Sequence, residues 1–97
     1  MPAYLVVEVK VKDPQRYEKY KAMVPPTLEA YGGRFLARGG AAECLEGEGT
    51  PGRVVVIEFE SVNQAKRWWD SDEYREARDL RQATAETRMI VVEGVSS

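Results

Sequence analysis

The chain has no histidine among its 97 residues and only one cysteine, Cys44. Without an imidazole there is no Ser-His-Asp triad, no histidine acid–base catalyst, no His-ligated haem and few routes to a zinc site. A lone cysteine forms no internal disulfide and fits a reducing, cytoplasmic compartment. With no histidine to activate it, Cys44 reads as a small structural residue of an alternating strand. Positive charge is not in excess either. Fourteen basic against sixteen acidic residues leave a net charge of −2, so a nucleic-acid partner is not expected. No apolar run approaches the roughly 18 residues of a membrane span, and the N-terminus lacks a signal-peptide pattern. The acidic groups Glu43, Glu46, Glu48 and Asp70, Asp72, Glu73 read as a solvated turn and a helix start rather than a metal site. No cofactor is expected.

What is present is a set of short, well-punctuated elements, expected to make one domain over residues 1–97. Tyr4–Val11 alternates as a strand, with Leu5, Val7, Val9 and Val11 on one face. Asp13 caps a helix with Pro14 at its first position, and Tyr17, Tyr20, Val24, Leu28 and Tyr31 recur along one side of it. Pro25-Pro26 predicts a break at Val24. Gly32-Gly33 ends the helix. A second strand is expected from Arg34 to about Leu45, distorted near Gly39-Gly40. Arg34 and Arg38, four residues apart, should share a face. A turn over 46–52 leads to a β-branched strand, Arg53–Glu60. Ser61 and Gln64 form a capping box, and Ser71 starts a further helical piece through Tyr74, Ala77, Leu80 and Arg81. Met89–Glu93 is the last strand.

The order β-α-β-β-α-β favours an α+β, ferredoxin-like antiparallel sheet with both helices on one face. The helix-covered face should carry Val7, Val9, Val55, Ile57, Phe59, Ile90 and Val92. The other face would show Val6, Glu8, Val54, Val56, Glu58, Met89, Val91 and Glu93. That second face is too apolar to stay in water and too charged for a dry core, which points to a homodimer built by stacking two sheets.

Several polar residues invite a functional reading beside a structural one. Arg38 can anchor a small anion, or pair with Glu58 or Glu60 on the neighbouring strand. Glu58 is the candidate catalytic base if partial burial raises its pKa, or else the partner of Arg38. Trp69, Tyr74 and Arg81 can line or close a pocket, or simply complete a core and a helix surface. The expectation is therefore a ligand site of Arg38, Glu58, Trp69, Tyr74 and Arg81 for a small anionic or aromatic metabolite. The alternative is a non-catalytic dimeric module.

Asp13-Pro14, Tyr17, Tyr20, Tyr31-Gly32-Gly33-Arg34, Arg38-Gly39-Gly40, Leu45-Glu46-Gly47, Glu58-Phe59, the aromatic pair before Ser71, Glu73-Tyr74, Arg81 and Val92-Glu93-Gly94 together resemble the family called domain of unknown function 1330. The likeness runs from about Ala3 to Val95. It implies membership of the dimeric α/β-barrel superfamily, hence a ferredoxin-like protomer and a back-to-back homodimer. Other members of that superfamily are muconolactone isomerases, cofactor-free antibiotic-biosynthesis monooxygenases and haem-binding chlorite dismutases. One departure is that Trp69 stands where the family commonly has Tyr, which removes a phenolic hydroxyl. The resemblance brings no activity residue by residue.

Overall fold

In a computed structural model, which describes residues 1–95, the chain runs β1 (Ala3–Val11), α1 (Pro14–Ala30), β2 (Arg34–Arg38), β3 (Arg53–Phe59), α2 (Val62–Trp69), α3 (Asp72–Thr84) and β4 (Ala85–Glu93). The four strands form one antiparallel sheet in the order β2-β3-β1-β4. This is the ferredoxin-like arrangement expected from the element order, and all three helices pack on one face of it. Among the described residues no helix is long and apolar enough to cross a membrane.

Each helix start follows from local chemistry. Asp13 accepts from the Arg16 amide at 3.2 Å, with Pro14 at the first helical position. Ser61 caps α2 by accepting from the Gln64 amide at 3.0 Å. The Gln64 side chain completes no capping box; its amide donates to the Tyr31 carbonyl instead. Ser71 caps α3, and Asp72 and Glu73 place negative charge in the first turn, where the helix dipole favours it.

The core joins Leu5, Val7, Val9, Val55, Ile57 and Phe59 of the sheet to Tyr17, Tyr20, Val24, Leu28, Trp68, Tyr74 and Ala77 of the helices. Trp68 stacks on Tyr74 with ring centroids 3.9 Å apart, and its indole N–H donates to Thr27 Oγ1 at 3.0 Å. Burying those two rings thus leaves the indole donor satisfied.

Four expectations are corrected. First, α1 continues through Pro25 and Pro26. Both prolines are exposed, so water and side chains reach the carbonyls whose i+4 donors they remove. Second, β2 ends at Arg38, and residues 39–52 hold no regular element. Cys44 is accordingly exposed in that segment rather than buried in a strand. Third, β4 sits one residue out of the expected phase. Val7 pairs with Met89 and Leu5 with Val91, so Met89 and Val91 pack on the core while Ile90 and Val92 lie 48% and 50% exposed on the open face. Met89–Val92 is apolar throughout, so alternation there carries no phase; pairing with β1 sets it. Fourth, Leu36 is an extra residue in β2. Phe35 faces Ile57, Ala37 faces Val56 and Arg38 faces Val55. A one-residue bulge reverses the side-chain parity beyond it, so Arg34 and Arg38 fall on opposite faces.

Candidate functional site

The bulge decides which arginine does what. Arg34 stays on the open face opposite Glu58, and its Nε donates to Glu58 Oε1 at 2.7 Å. Arg38 turns to the helix side. Its guanidinium lies 4.3 Å from the Phe35 ring centroid and donates through Nη2 to the main-chain oxygen of Lys21 at 2.6 Å. In a regular helix that oxygen would accept from residue 25, which here is proline. The expected Arg38–Glu58 pair is therefore replaced by Arg34–Glu58, and Glu58 stands outside the helix-side site.

Between α1 and the sheet lies an interior cavity of about 30 Å³, room for about two waters. Its wall combines the aromatic side of α1, Tyr17 and Tyr20, with Phe35 and Trp68. Its charged lining is wholly basic: Lys21, Arg38, Arg53 and Arg81, with no Asp or Glu. Lys21, Arg38 and Arg53 also line a shallow outer cleft with Glu18 and Ala22 and so form the mouth. Arg81 lies at the inner end and separates the cavity from a groove of about 360 Å³ beside β4.

Arg81 is only 5% exposed. Its Nε donates to the Tyr74 hydroxyl at 3.3 Å, and among the described residues no carboxylate lies within ion-pair distance of it. The Tyr74 and Tyr20 hydroxyls are 2.9 Å apart, extending this chain toward the cavity. Burial, reinforced by Tyr74, pushes the Tyr20 phenol far above the usual range. Burial also raises Tyr17, with the charge of Arg53 opposing it. Both phenols are thus held as neutral hydrogen-bonding groups.

Arg53 went unrecognised in the sequence, where it read as the first residue of a strand. It has the same parity as Val55, Ile57 and Phe59, and a cation in the helix-facing register was the available signal. Its guanidinium lies 5.9 Å from the Tyr17 ring centroid, and its Nε is buried with no hydrogen-bond partner. Gly39, at φ 70°, makes room for it, since a Cβ there would collide with the guanidinium.

Of the five expected site residues, Arg38 and Arg81 meet at the cavity. Tyr74 is fully buried behind its wall. Trp69 is 41% exposed on the groove, with the Arg78 guanidinium 4.8 Å from its ring centroid. Glu58 is on the other face of the sheet. Among the described residues no group of His, Cys, Asp and Glu could hold a metal ion.

A family model described as Domain of unknown function (DUF1330) matches residues 2–95. No curated protein is significantly similar. Among solved structures, a protein of unknown function from Rhodopseudomonas palustris, RPA0582, has a TM-score of 0.81 at 22% identity, over 99% of this chain and 84% of that one. SnoaB, a cofactor-independent oxygenase from Streptomyces nogalater, has a TM-score of 0.69 at 11% identity, over 99% of this chain and 95% of SnoaB. A dimeric protein of unknown function and ferredoxin-like fold from Bacteroides fragilis has a TM-score of 0.65 at 13% identity, over 96% of each chain. At these identities the likeness is one of fold.

Proposed function

This chain belongs to the DUF1330 family, and from that footing we propose that it binds a small anionic metabolite, through its carboxylate or enolate group, at the basic mouth and cavity beneath α1. The observation that carries the reading is Arg81, a buried guanidinium without a carboxylate partner. Isolating such a charge from water costs several kcal/mol unless an anion joins it. The partnerless Nε of Arg53 adds a second buried donor to the same lining. Arg38 at the mouth draws anions inward, while the Lys21 ammonium there is held by Glu18 at 3.1 Å.

The same charges would stabilise an enolate or phenolate form of the ligand. Tyr20 supplies a neutral hydroxyl to the cavity wall. This supports cofactor-free chemistry in which the ligand provides the reactive carbanion, and the oxygenase SnoaB on a similar fold is compatible with it. Glu58, outside the cavity, is not assigned the role of base.

We also read the open sheet face as a homodimer interface. One row across the sheet is wholly apolar: Ala37, Val56, Val6 and Ile90. The next row holds Arg34, Glu58, Tyr4 and Val92, so charges that can pair rim the apolar strip. Among the described residues no helix covers this face, and the dimeric neighbour from Bacteroides fragilis supports the reading. The single thiol supports a cytoplasmic setting.

The competing reading, a dimeric module with no ligand, draws on the cavity's small volume. Thermal unfolding in acetate, benzoate and chloride separates the two. Ligand binding predicts that a carboxylate raises the midpoint more than chloride at equal ionic strength, and that Arg81→Met abolishes the difference. Equal midpoints in all three salts would refute the binding reading.

A further inference from the structure

We propose that the groove between β4, α2 and α3 is a second ligand site, built for a planar aromatic hydroxycarboxylate. At about 360 Å³ it has the size of a small-ligand pocket. Its floor is apolar, with Met89 and Val91 of β4. Lys66 and Arg81 supply positive charge from α2 and α3, and no acidic residue lines it. The Thr87 hydroxyl in its wall is buried with no hydrogen-bond partner, an arrangement that native structures seldom leave unanswered. Trp69 stands at the rim, half exposed, and its backbone oxygen accepts from Arg78 Nη1 at 2.9 Å while the Arg78 guanidinium packs against the ring. A large apolar ring held in place beside two cations and an orphan hydroxyl is the composition that selects an aromatic anion. The carboxylate pairs with Arg81, whose planar fork suits it. The ring lies on Met89 and Val91 beside Trp69. A ring hydroxyl satisfies Thr87.

The site rests on the reading above through Arg81, and the linings of the two compartments have only Arg81 and Met89 in common. The test is a salicylate titration of the ¹⁵N-labelled protein. The expected result is movement of the Trp69 indole and Thr87 amide signals with the Arg38 and Lys21 signals stationary. Trp69→Ala and Thr87→Val should each weaken binding by about tenfold, while Arg38→Ala leaves it unchanged. Neither Trp69 nor Thr87 belongs to the packed core, and circular dichroism checks that both variants fold. Full affinity in both variants, or no binding of salicylate, overturns the groove site. Movement at Arg38 and Lys21 alone overturns it too and leaves the cavity reading standing. Binding at Trp69 and Thr87, with acetate and benzoate leaving the Arg38 and Lys21 signals unmoved, would instead retain the groove and discard the cavity.

Discussion

Arg38 donates to the main-chain oxygen of Lys21 at 2.6 Å, and that oxygen is available because Pro25 has no N–H to offer it. A proline inside a helix ordinarily costs about 3 kcal/mol, in part through the lost hydrogen bond. Here the freed acceptor latches a cation from β2 at the cavity mouth. The bond is exposed, so water replaces it when Arg38 is removed. Arg38→Ala should lower stability by less than about 1 kcal/mol in urea unfolding. A loss of several kcal/mol would mean that Arg38 holds the fold rather than the mouth.

Glu58 belongs to Arg34. That pair is exposed on the arginine side, so it is screened by salt and Glu58→Gln should cost under about 1 kcal/mol. The small deficit should shrink further in about 1 M salt. A large, salt-insensitive loss would point to a buried role that the geometry does not provide.

Val56 lies between Ala37 and Val6 in the apolar row. Stable homodimers bury roughly 1,600 Å² or more in total, and a carboxylate at the centre of such a face has no partner. Val56→Asp should convert a dimer to a folded monomer, read by light scattering with circular dichroism as the check on folding. A parent protein that is monomeric at micromolar concentration would remove the dimer reading.

Tyr20 keeps its proton in the folded chain to a pH well above its ordinary value of 10.0. The unfolded chain gives that proton up near pH 10, so above it the folded state binds more protons. Stability is therefore fully present below about pH 10 and falls as pH rises beyond it. Tyr20→Phe should flatten this alkaline decline in urea midpoints measured between about pH 9 and pH 11. An unchanged slope would assign the decline elsewhere.

Cys44 lies exposed in the segment after β2. A thiol reagent at neutral pH should label the native protein completely, at the rate seen in denaturant. Strong protection would require that segment to be covered.

Where hydrophobic alternation was clean, the sequence sufficed. β1 and β3 are phased by their charged residues, Glu8 and Lys10 in one and Glu58 in the other, and their core faces are as expected. The caps at Asp13, Ser61 and Ser71 also follow from residue type and position. Three features left no local trace. An apolar run such as Met89–Val92 has no phase of its own. A bulge at Leu36 changes hydrogen-bond register without needing a glycine or proline. The helix survives Pro25-Pro26 because both face water, which the residue types alone do not reveal. The site was legible to the extent that it avoided these features. Arg81 and Trp69 lie on well-phased helices. Arg38 lies beyond the bulge, so residue spacing points it at the wrong partner, and Arg53 opens its strand, where only its parity with Val55, Ile57 and Phe59 marks it as facing the helices.

The extra residue in β2 makes the site's charge a matter of counting. Deleting Leu36 would remove the bulge and leave Ala37 opposite Val56 and Arg38 opposite Val55, whereas drawing Leu36 into a regular ladder would carry Arg38 to the face of Glu58 and withdraw a cation from the cavity mouth. The bulge itself, rather than the length of the strand, thus acts as a parity switch between an anion-attracting mouth and an ordinary ion-paired surface. Homologues that keep a residue at Leu36 but pair it regularly should differ in ligand, even where Arg38 itself is kept.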